Sequence, residues 1–260
     1  MTSICPESSA KTCHLLLAHL ECLAERYRML APSRCRLALL DLRLLPPLIE
    51  QTGALAPLLT PSEQEVFQRF RYPKRQVEWL GGRVAAKYCL HRLLAPEALP
   101  CAWHRYSILA DTHGRPCLER VPADCPEVAV SISHSHGYAA ALACRAGSGG
   151  VDIQQLTSKL AGVAERFASE EELALIDPEL APLTGLGLIW TAKEAVKKCL
   201  LSDHPSFFGR IRLTRLEHDQ ETSGWRAQCR IAQPKSMTAT VRLAEVDGHL
   251  LACATGDAHA

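Results

Sequence analysis

The chain has 260 residues, 47% of them hydrophobic and 22% charged, and its 29 basic and 28 acidic side chains leave a formal net charge of +1. This composition is ordinary for a folded globular protein, and the length suffices for one large domain or two modest ones. The charge balance excludes nucleic-acid binding by bulk positive charge, so any anionic ligand must be held by a few placed cations. No stretch approaches the roughly 20 apolar residues of a membrane span, and the N-terminus shows no secretory signal. We therefore expect a cytoplasmic protein without a nucleic-acid or membrane partner.

The cysteines are numerous but scattered. The chain has 12 of them without a single Cys-x-x-Cys pair, a spacing that indicates neither zinc nor redox chemistry. We expect mostly free, buried thiols in a reducing compartment.

The first part of the chain predicts a helical extension followed by a strand. Residues 1–34 read as helix as far as Pro32, and a leucine-rich strand is expected over residues 36–43. Thr60 begins a Thr-Pro-Ser-Glu run that is typical of a helix start.

The middle of the chain predicts a helix with one inward face and then a hairpin. Apolar residues recur at helical spacing over residues 78–94. The pair Gly81-Gly82 would weaken this helix unless small residues are needed for a close approach. Residues 127–144 alternate as two strands joined at a His-Gly turn. Residues 146–150 form the most linker-like run.

The remainder predicts a short strand, two helices and four strands. The strand covers residues 151–153, the helices residues 169–176 and 188–201, and the four strands follow residue 207. No internal sequence repeat is visible.

Asp152 is the first residue with suggestive chemistry. It lies between the β-branched residues Val151 and Ile153 after two glycines, and a charge in such a strand needs a partner. A hard cation such as Mg²⁺ is one such partner, since it takes oxygen ligands and often only one or two protein carboxylates. A hydrogen bond within a turn is the alternative.

Glu194 and Lys198 form a second candidate group on the helix that follows. With Ile189, Ala192, Val196 and Cys199 as the apolar stripe, Glu194 and Lys198 lie about 140° and 180° from Ile189 and one turn apart. A solvated ion pair is the alternative. Ser131-Ile132-Ser133-His134-Ser135, the third group, offers hydroxyls and an imidazole to phosphate oxygens, or else is a polar hairpin tip.

The order of these groups resembles a known family. His113-Gly114-Arg115-Pro116, the Ser131–Ser135 run, Gly150-Val151-Asp152-Ile153 and Trp190-Thr191-Ala192-Lys193-Glu194 follow one another as in the phosphopantetheinyl transferases of the surfactin-synthetase-activating type. The match runs from about residue 65 to 200. It implies an α+β fold of two similar lobes related by a pseudo-twofold axis, with the active site in the cleft between them. The expected divisions are a helical extension over residues 1–34, an N-terminal lobe over 35–146 and a C-terminal lobe over 147–260 that carries the metal site.

The resemblance also implies the ligands. Asp152 and Glu194 match the Mg²⁺ ligands, whereas Gln154 stands where many members have an acid, so we expect two carboxylates plus water. The residues that match contacts to coenzyme A are Arg83, Arg115, Ser133, His134, Lys193 and Lys198. Arg71 and Arg75 compete with Arg83 for its role.

Glu172 and Lys198 match the catalytic positions, with Glu172 as the general base. The Ser169-x-x-Glu172 spacing is also a capping box, which would need no catalytic role, and the two interpretations stay open. The segment 156–166 would meet the carrier protein through Leu160 and Val163.

The implied reaction is the Mg²⁺-dependent transfer of the 4'-phosphopantetheine moiety of coenzyme A to a serine of an apo acyl or peptidyl carrier protein, with release of 3',5'-ADP. The implied pathways are fatty-acid, polyketide or non-ribosomal peptide biosynthesis. A single chain could build the whole site, so we expect a monomer. A module that binds coenzyme A or the carrier with weakened catalysis is the alternative that Gln154 favours. A nucleotide hydrolase is disfavoured because no G-x-x-x-x-G-K-S/T loop occurs.

Overall fold

The computed structural model describes residues 7–51, 53–96, 103–120, 127–201, 206–207, 209–232 and 237–256. Residues 1–6 of the predicted extension lie outside these ranges. Helices and antiparallel sheets occur together in both halves of the chain, so the fold is α+β. In the described part of the chain, no helix combines the length and the apolar character that crossing a membrane requires.

The first half contains five strands and four helices among its described residues. In chain order these are α1 (Glu7–Arg26), β1 (Cys35–Asp41), α2 (Pro46–Glu50), α3 (Pro61–Gln68), α4 (Pro73–Leu94), β2 (Ser107–Ala110), β3 (Pro116–Arg120), β4 (Val128–Ser135) and β5 (Tyr138–Arg145). Short 3₁₀ helices span Arg28–Leu30, Leu42–Leu44 and Trp103–Arg105.

The second half has the same sequence of strand, helices and four strands. It consists of β6 (Gly149–Gln155), a 3₁₀ helix (Ala161–Arg166), α5 (Glu170–Leu173), α6 (Pro182–Leu200), β7 (Ile211–Asp219), β8 (Gly224–Ile231), β9 (Met237–Val246) and β10 (His249–Gly256). An axis relating the two halves stays a prediction.

The sheets place one long helix on each half. Strands β1, β5 and β4 form a three-stranded sheet under α4, β2 pairs with β3, and β6, β10, β9, β8 and β7 form a five-stranded sheet under α6. One core lies between each long helix and its sheet, and a third core lies where the two sheets meet. The burial of these apolar side chains is the main force that holds the layers together.

Helix α4 is more deeply buried than an amphipathic helix with one inward face. Nearly every residue from Leu80 to Leu93 is buried. Gly81 permits this packing, because a Cβ at this residue would lie 2.1 Å from Cδ2 of Leu42. A close approach therefore explains a glycine within the helix.

Several local predictions are confirmed. Thr60 caps α3 in a full capping box with Glu63, the hairpin turn falls at His136-Gly137, and all four C-terminal strands form. The helix predicted over residues 169–176 is limited to the four residues of α5.

Two predictions are wrong in part. Gly149 and Gly150 belong to β6 and not to a linker, because Gly150 packs against α6, where a Cβ would lie 2.0 Å from the carbonyl oxygen of Ala195. Cys35 and Cys144, which are register partners on β1 and β5, form a disulfide. Six other cysteines whose side chains the structure describes are free, four of them buried and two exposed.

Candidate active site

Strands β4 and β6 are joined by a row of serine hydroxyls. Three serines of β4 accept hydrogen bonds from backbone amides of β6 at 3.0–3.3 Å, in the pairs Ser131 with Val151, Ser133 with Ile153 and Ser135 with Gln155. The alternating Ser-x-Ser-x-Ser pattern produces this row, since alternate residues of a strand share one face. The serine run therefore is not a solvated hairpin tip, and it fixes the position of β6.

Asp152 lies on β6 beside this row of serines and is only 6% exposed. Its Oδ1 accepts hydrogen bonds from the Ser133 hydroxyl and from Nζ of Lys198, both at 2.8 Å. Lys198 also donates to the carbonyl of Val151 at 3.1 Å. The buried carboxylate thus has the charged partner that its burial requires.

Glu194 lies on α6 one turn before Lys198, close enough to Asp152 for the two carboxylates to interact. Burial raises the pKa of its carboxyl group, and the negative charge of Asp152 raises that pKa further. Its cationic neighbour is Lys197, whose Nζ is 3.7 Å from Oε2. A buried and a half-buried carboxylate that repel each other form a donor set that a hard divalent cation would fit.

The acidic set is small. Among the described residues, no group of three or more histidine, cysteine, aspartate or glutamate side chains could hold a metal ion. Gln154 donates from Nε2 to the carbonyl of Gln155 at 3.0 Å. A metal held by Asp152 and Glu194 would therefore need oxygen atoms from ligand or water.

A cleft of about 580 Å³ opens beside these residues, and its lining includes Arg115, Ser131, Lys197 and Lys198. Arg115 follows a turn in which Gly114 has a φ of +81°. Its Nε donates to Asp111 at 2.6 Å, which orients the guanidinium. The cleft offers basic groups from both halves of the chain to an anion.

His134 lies close to Glu78, a residue that the sequence analysis did not single out. Its Nδ1 is 3.9 Å from Oε2 of Glu78 on α4, and Nη1 of Arg75 is 3.4 Å from the same oxygen. Burial lowers the pKa of His134, while Glu78 opposes this shift. Of the three competing arginines, Arg75 is therefore the one that the structure connects to His134.

Arg83 is buried elsewhere. Its Nε donates to the carbonyl of Ile108 on β2 at 3.0 Å, and its guanidinium lies 4.7 Å from the ring centre of Trp79. Burial lowers its pKa to about 10. These contacts hold Arg83 against β2 and not against His134.

Glu172 and Lys193 form a buried pair with each other. Lys193 lies 2.6 Å from Oε1 of Glu172 and donates to the carbonyl of Phe167 at 2.6 Å. The amides of Ser169 and Leu213 donate to the Glu172 carboxylate at 2.9 and 2.6 Å. Both carboxylate oxygens are thus engaged, and the capping box that the sequence indicated is complete. Helical periodicity carries a sign of this burial, since Lys193 lies about 40° from Ile189, beside the apolar stripe of α6.

The predicted carrier contact is wrong for Leu160. This side chain is 5% exposed, because it points into the protein interior just before the 3₁₀ helix. Val163 is half-buried and packs on the core under α6. A partner could contact this segment through the accessible part of Val163 and through its exposed residues.

Fold and site together define an α+β protein in which two carboxylates lie beside a cleft that is lined by several cations. The family model of the 4'-phosphopantetheinyl transferase superfamily matches residues 148–254. The holo-[acyl-carrier-protein] synthase of Geobacillus sp. (strain WCH70) is 36% identical over 85 residues, which are 32% of this chain and 70% of that protein. That of Streptococcus agalactiae serotype III (strain NEM316) is 37% identical over 84 residues, again 32% and 70%. The chain belongs to the 4'-phosphopantetheinyl transferase superfamily.

The solved structures include a holo-(acyl-carrier-protein) synthase from Bacillus anthracis str. Ames in complex with CoA (3',5'-ADP). It is 22% identical with a TM-score of 0.37, covering 43% of this chain and 93% of that one. The synthase from Neisseria meningitidis is 20% identical with a TM-score of 0.38, covering 43% and 96%.

Proposed function

We propose that the protein transfers the 4'-phosphopantetheine moiety of coenzyme A to a serine hydroxyl of an apo acyl or peptidyl carrier protein and releases 3',5'-ADP. The observation that carries this proposal is the grouping of Asp152, Glu194 and Lys198 beside a cleft that Arg115 also lines. Membership of the superfamily supports it, as do relatives that are holo-[acyl-carrier-protein] synthases.

Coenzyme A would occupy the cleft between the halves. The volume of about 580 Å³ is within the range of small-molecule sites, roughly 300–1,000 Å³. Arg115 is suited to the 3'-phosphate, since a guanidinium donates parallel hydrogen bonds to such a group. His134 and Arg75 would complete the phosphate contacts, whereas Ser133 would act through Asp152, whose oxygen it contacts.

Asp152 and Glu194 would hold Mg²⁺, and their mutual repulsion is the physical reason for a cation at this point. When bound, the metal would supply positive charge against the charge that builds on the diphosphate. Lys198 would orient Asp152 and place a second positive charge beside the same phosphates.

In the transfer, the serine oxygen forms a bond to phosphorus while the bond from that phosphorus to the departing 3',5'-ADP oxygen breaks. The serine proton passes to a base or to water. The family role of Glu172 is that of the base, but its carboxylate is occupied by Lys193 and by backbone amides. We therefore propose that Glu172 and Lys193 hold α5 and α6 in place, so that Lys193 positions its neighbour Glu194.

We infer the surfactin-synthetase-activating type from the length of the chain. The family model matches residues 148–254, in the second half, whereas this chain adds a first half with the same order of elements. One chain would then supply both sides of the cleft, which supports a monomer.

The test is incubation of the protein with coenzyme A, Mg²⁺ and an apo-carrier, followed by mass spectrometry of the carrier. The wild type should add the phosphopantetheine arm, Asp152→Asn and Glu194→Gln should lose the activity, and Glu217→Gln on the exposed face of β7 should keep it. Binding of coenzyme A or carrier without any mass gain would favour the weakened binding module that Gln154 suggests.

A further inference from the structure

The two halves of the chain are equivalent residue by residue at their hairpins. His136-Gly137 joins β4 to β5 and Asp247-Gly248 joins β9 to β10, and all four residues have positive φ. The residue that follows β1, Leu42, donates its amide to the carbonyl of Gly137 at 2.8 Å, and the residue that follows β6, Leu156, donates to Gly248 at 3.0 Å. This match aligns β1 with β6 and places Ala38 where the second half has Asp152.

The long helices are equivalent as well. Each half has a buried lysine on its long helix, a glutamate in a capping box, a carbonyl two residues before that cap, and a strand amide bonded to the glutamate. These groups are Lys87, Glu63, Leu58 and Ile108 in the first half, and Lys193, Glu172, Phe167 and Leu213 in the second.

A second contact confirms this alignment. A Cβ at Gly81 would meet Leu42 at 2.1 Å, and a Cβ at Gly187 would meet Leu156 at 2.3 Å. Since Lys87 corresponds to Lys193, Tyr88 corresponds to Glu194 and Arg92 to Lys198.

The equivalent of the active cleft therefore exists in the first half with different chemistry. Ala38 and Tyr88 replace the two carboxylates, while Arg92 keeps the positive charge of Lys198. On β9, Arg242 takes the position that Ser131 has on β4, as the two hairpin registers show. The cation-holding acids are lost and the basic groups are increased.

This second cleft is large and basic. It has a volume of about 900 Å³, lies between α1, the 3₁₀ helix Arg28–Leu30, β1, α4 and β9, and is lined by four arginines and two glutamates, namely Arg28, Arg36, Arg92, Arg242, Glu21 and Glu25. Arg28 is paired with Glu25 at 2.9 Å. The other three arginines share the cleft with one glutamate, so the site has a positive excess in a chain that is almost neutral overall.

Backbone carbonyls orient two of these arginines. Nη1 of Arg36 donates to Ser33 and Cys35 at 2.9 Å, and Nη1 of Arg242 donates to Met29 at 2.7 Å. A carbonyl leaves the positive charge unneutralised, which a carboxylate would not. Met29, whose carbonyl accepts the bond from Arg242, belongs to the N-terminal extension. This extension therefore forms one wall of the cleft.

Tyr88 lines the same cleft as Arg36 and Arg92. Burial raises the pKa of its phenol to about 12, the charges of Arg92 and Arg36 oppose that rise, and the charge of Glu21 adds to it. The protonated hydroxyl offers a further hydrogen-bond donor to an anion.

We propose that the second cleft binds a small molecule that carries a phosphate or diphosphate group, without a metal. Guanidinium groups bind phosphate oxygens through paired hydrogen bonds, and the volume is that of a small-molecule site. The apolar side chains of Leu37 and Met29 in the lining would contact the non-phosphate part. This site differs from the coenzyme A site and does not depend on the proposed transferase activity.

The test uses inorganic pyrophosphate as the probe and EDTA to remove metals. Calorimetric titration is done on Lys198→Ala, so that the first cleft is weakened, and on Lys198→Ala combined with Arg92→Ala, which removes the equivalent cation from the second. The proposal expects one pyrophosphate per chain in the former and binding weakened by about ten-fold or more in the latter.

Two outcomes would overturn the proposal: no binding to Lys198→Ala, or equal binding to both variants. Thermal unfolding checks that each variant is folded, and Arg36→Ala replaces Arg92→Ala should the latter fail this check. Arg92→Ala alone should leave transfer to the carrier unchanged, because Arg92 does not line the first cleft.

Discussion

The duplicated buried pair gives a direct way to decide what Glu172 does. Glu172→Gln removes a charge from the pair that lies near the candidate site, and Glu63→Gln makes the same change in the first half, where the equivalent of Asp152 is an alanine. If Glu172 is structural, the two substitutions should have the same consequence.

The size of that consequence follows from burial. The side chains of Glu172 and Lys193 are 3% and 5% exposed, and those of Glu63 and Lys87 are fully buried. Breaking a buried pair by removing one charge costs about 3–5 kcal/mol. Glutamine keeps the shape of glutamate, so we expect a loss of about 3 kcal/mol in unfolding free energy for each variant.

The assay has two parts. Urea unfolding gives the loss of stability, and the rate of carrier modification is measured against pH at a temperature where each variant is folded. We expect Glu172→Gln to keep kcat within about ten-fold of Glu63→Gln, and to keep the acid limb of the pH profile, because the loss of a general base costs about 10²–10⁴-fold.

The opposite result is equally clear. A folded Glu172→Gln protein with kcat lowered by about 100-fold or more and without the acid limb, beside an active Glu63→Gln, would make Glu172 the base. The structural role that we assign to this residue would then be refuted.

Three further predictions concern particular residues. Gly150→Ala should lower both stability and transfer activity, because a Cβ would lie 2.0 Å from a backbone oxygen of α6, whereas a Cβ at Gly162 meets nothing within 4 Å and Gly162→Ala should leave the stability unchanged. Reduction of the Cys35–Cys144 disulfide, which closes a separation of 109 residues, should lower the unfolding free energy by about 4–5 kcal/mol, and identical urea midpoints with and without reductant would contradict this. Because burial lowers the pKa of His134, an NMR titration should give a pKa below 6.5, and a measured pKa above 6.5 would refute this. The contribution of the neutral imidazole to stability should be present above pH 6.5 and lost as the pH falls through the lowered pKa.

Features set by short-range physics were accessible from the sequence. The cap at Thr60 and the turn at His136-Gly137 depend on residues within a few positions, so their patterns sufficed. The extent of β6 was not accessible, since Gly149 and Gly150 extend the strand only by packing against distant elements. The disulfide likewise depends on the pairing of two remote strands.

The site was accessible in part. The motif order implied that Asp152 and Glu194 belong to one site. In the structure the two carboxylates are close enough that the charge of Asp152 raises the pKa of Glu194. The proximity of Arg75 and Glu78 to His134 depends on how α4 crosses β4, which no local pattern specifies. The equivalence of the halves was hidden because the residues that match in type, such as Lys87 with Lys193 and Glu63 with Glu172, are few and widely spaced.

The central claim is that Asp152 and Glu194 together hold a divalent cation against the diphosphate of coenzyme A. Calorimetric titration of Mg²⁺ into the protein saturated with coenzyme A measures this directly, with the Asp152→Asn protein as the comparison. The account predicts one Mg²⁺ per chain in the wild type and no measurable binding in the variant, and equal Mg²⁺ affinity in the two proteins would contradict it.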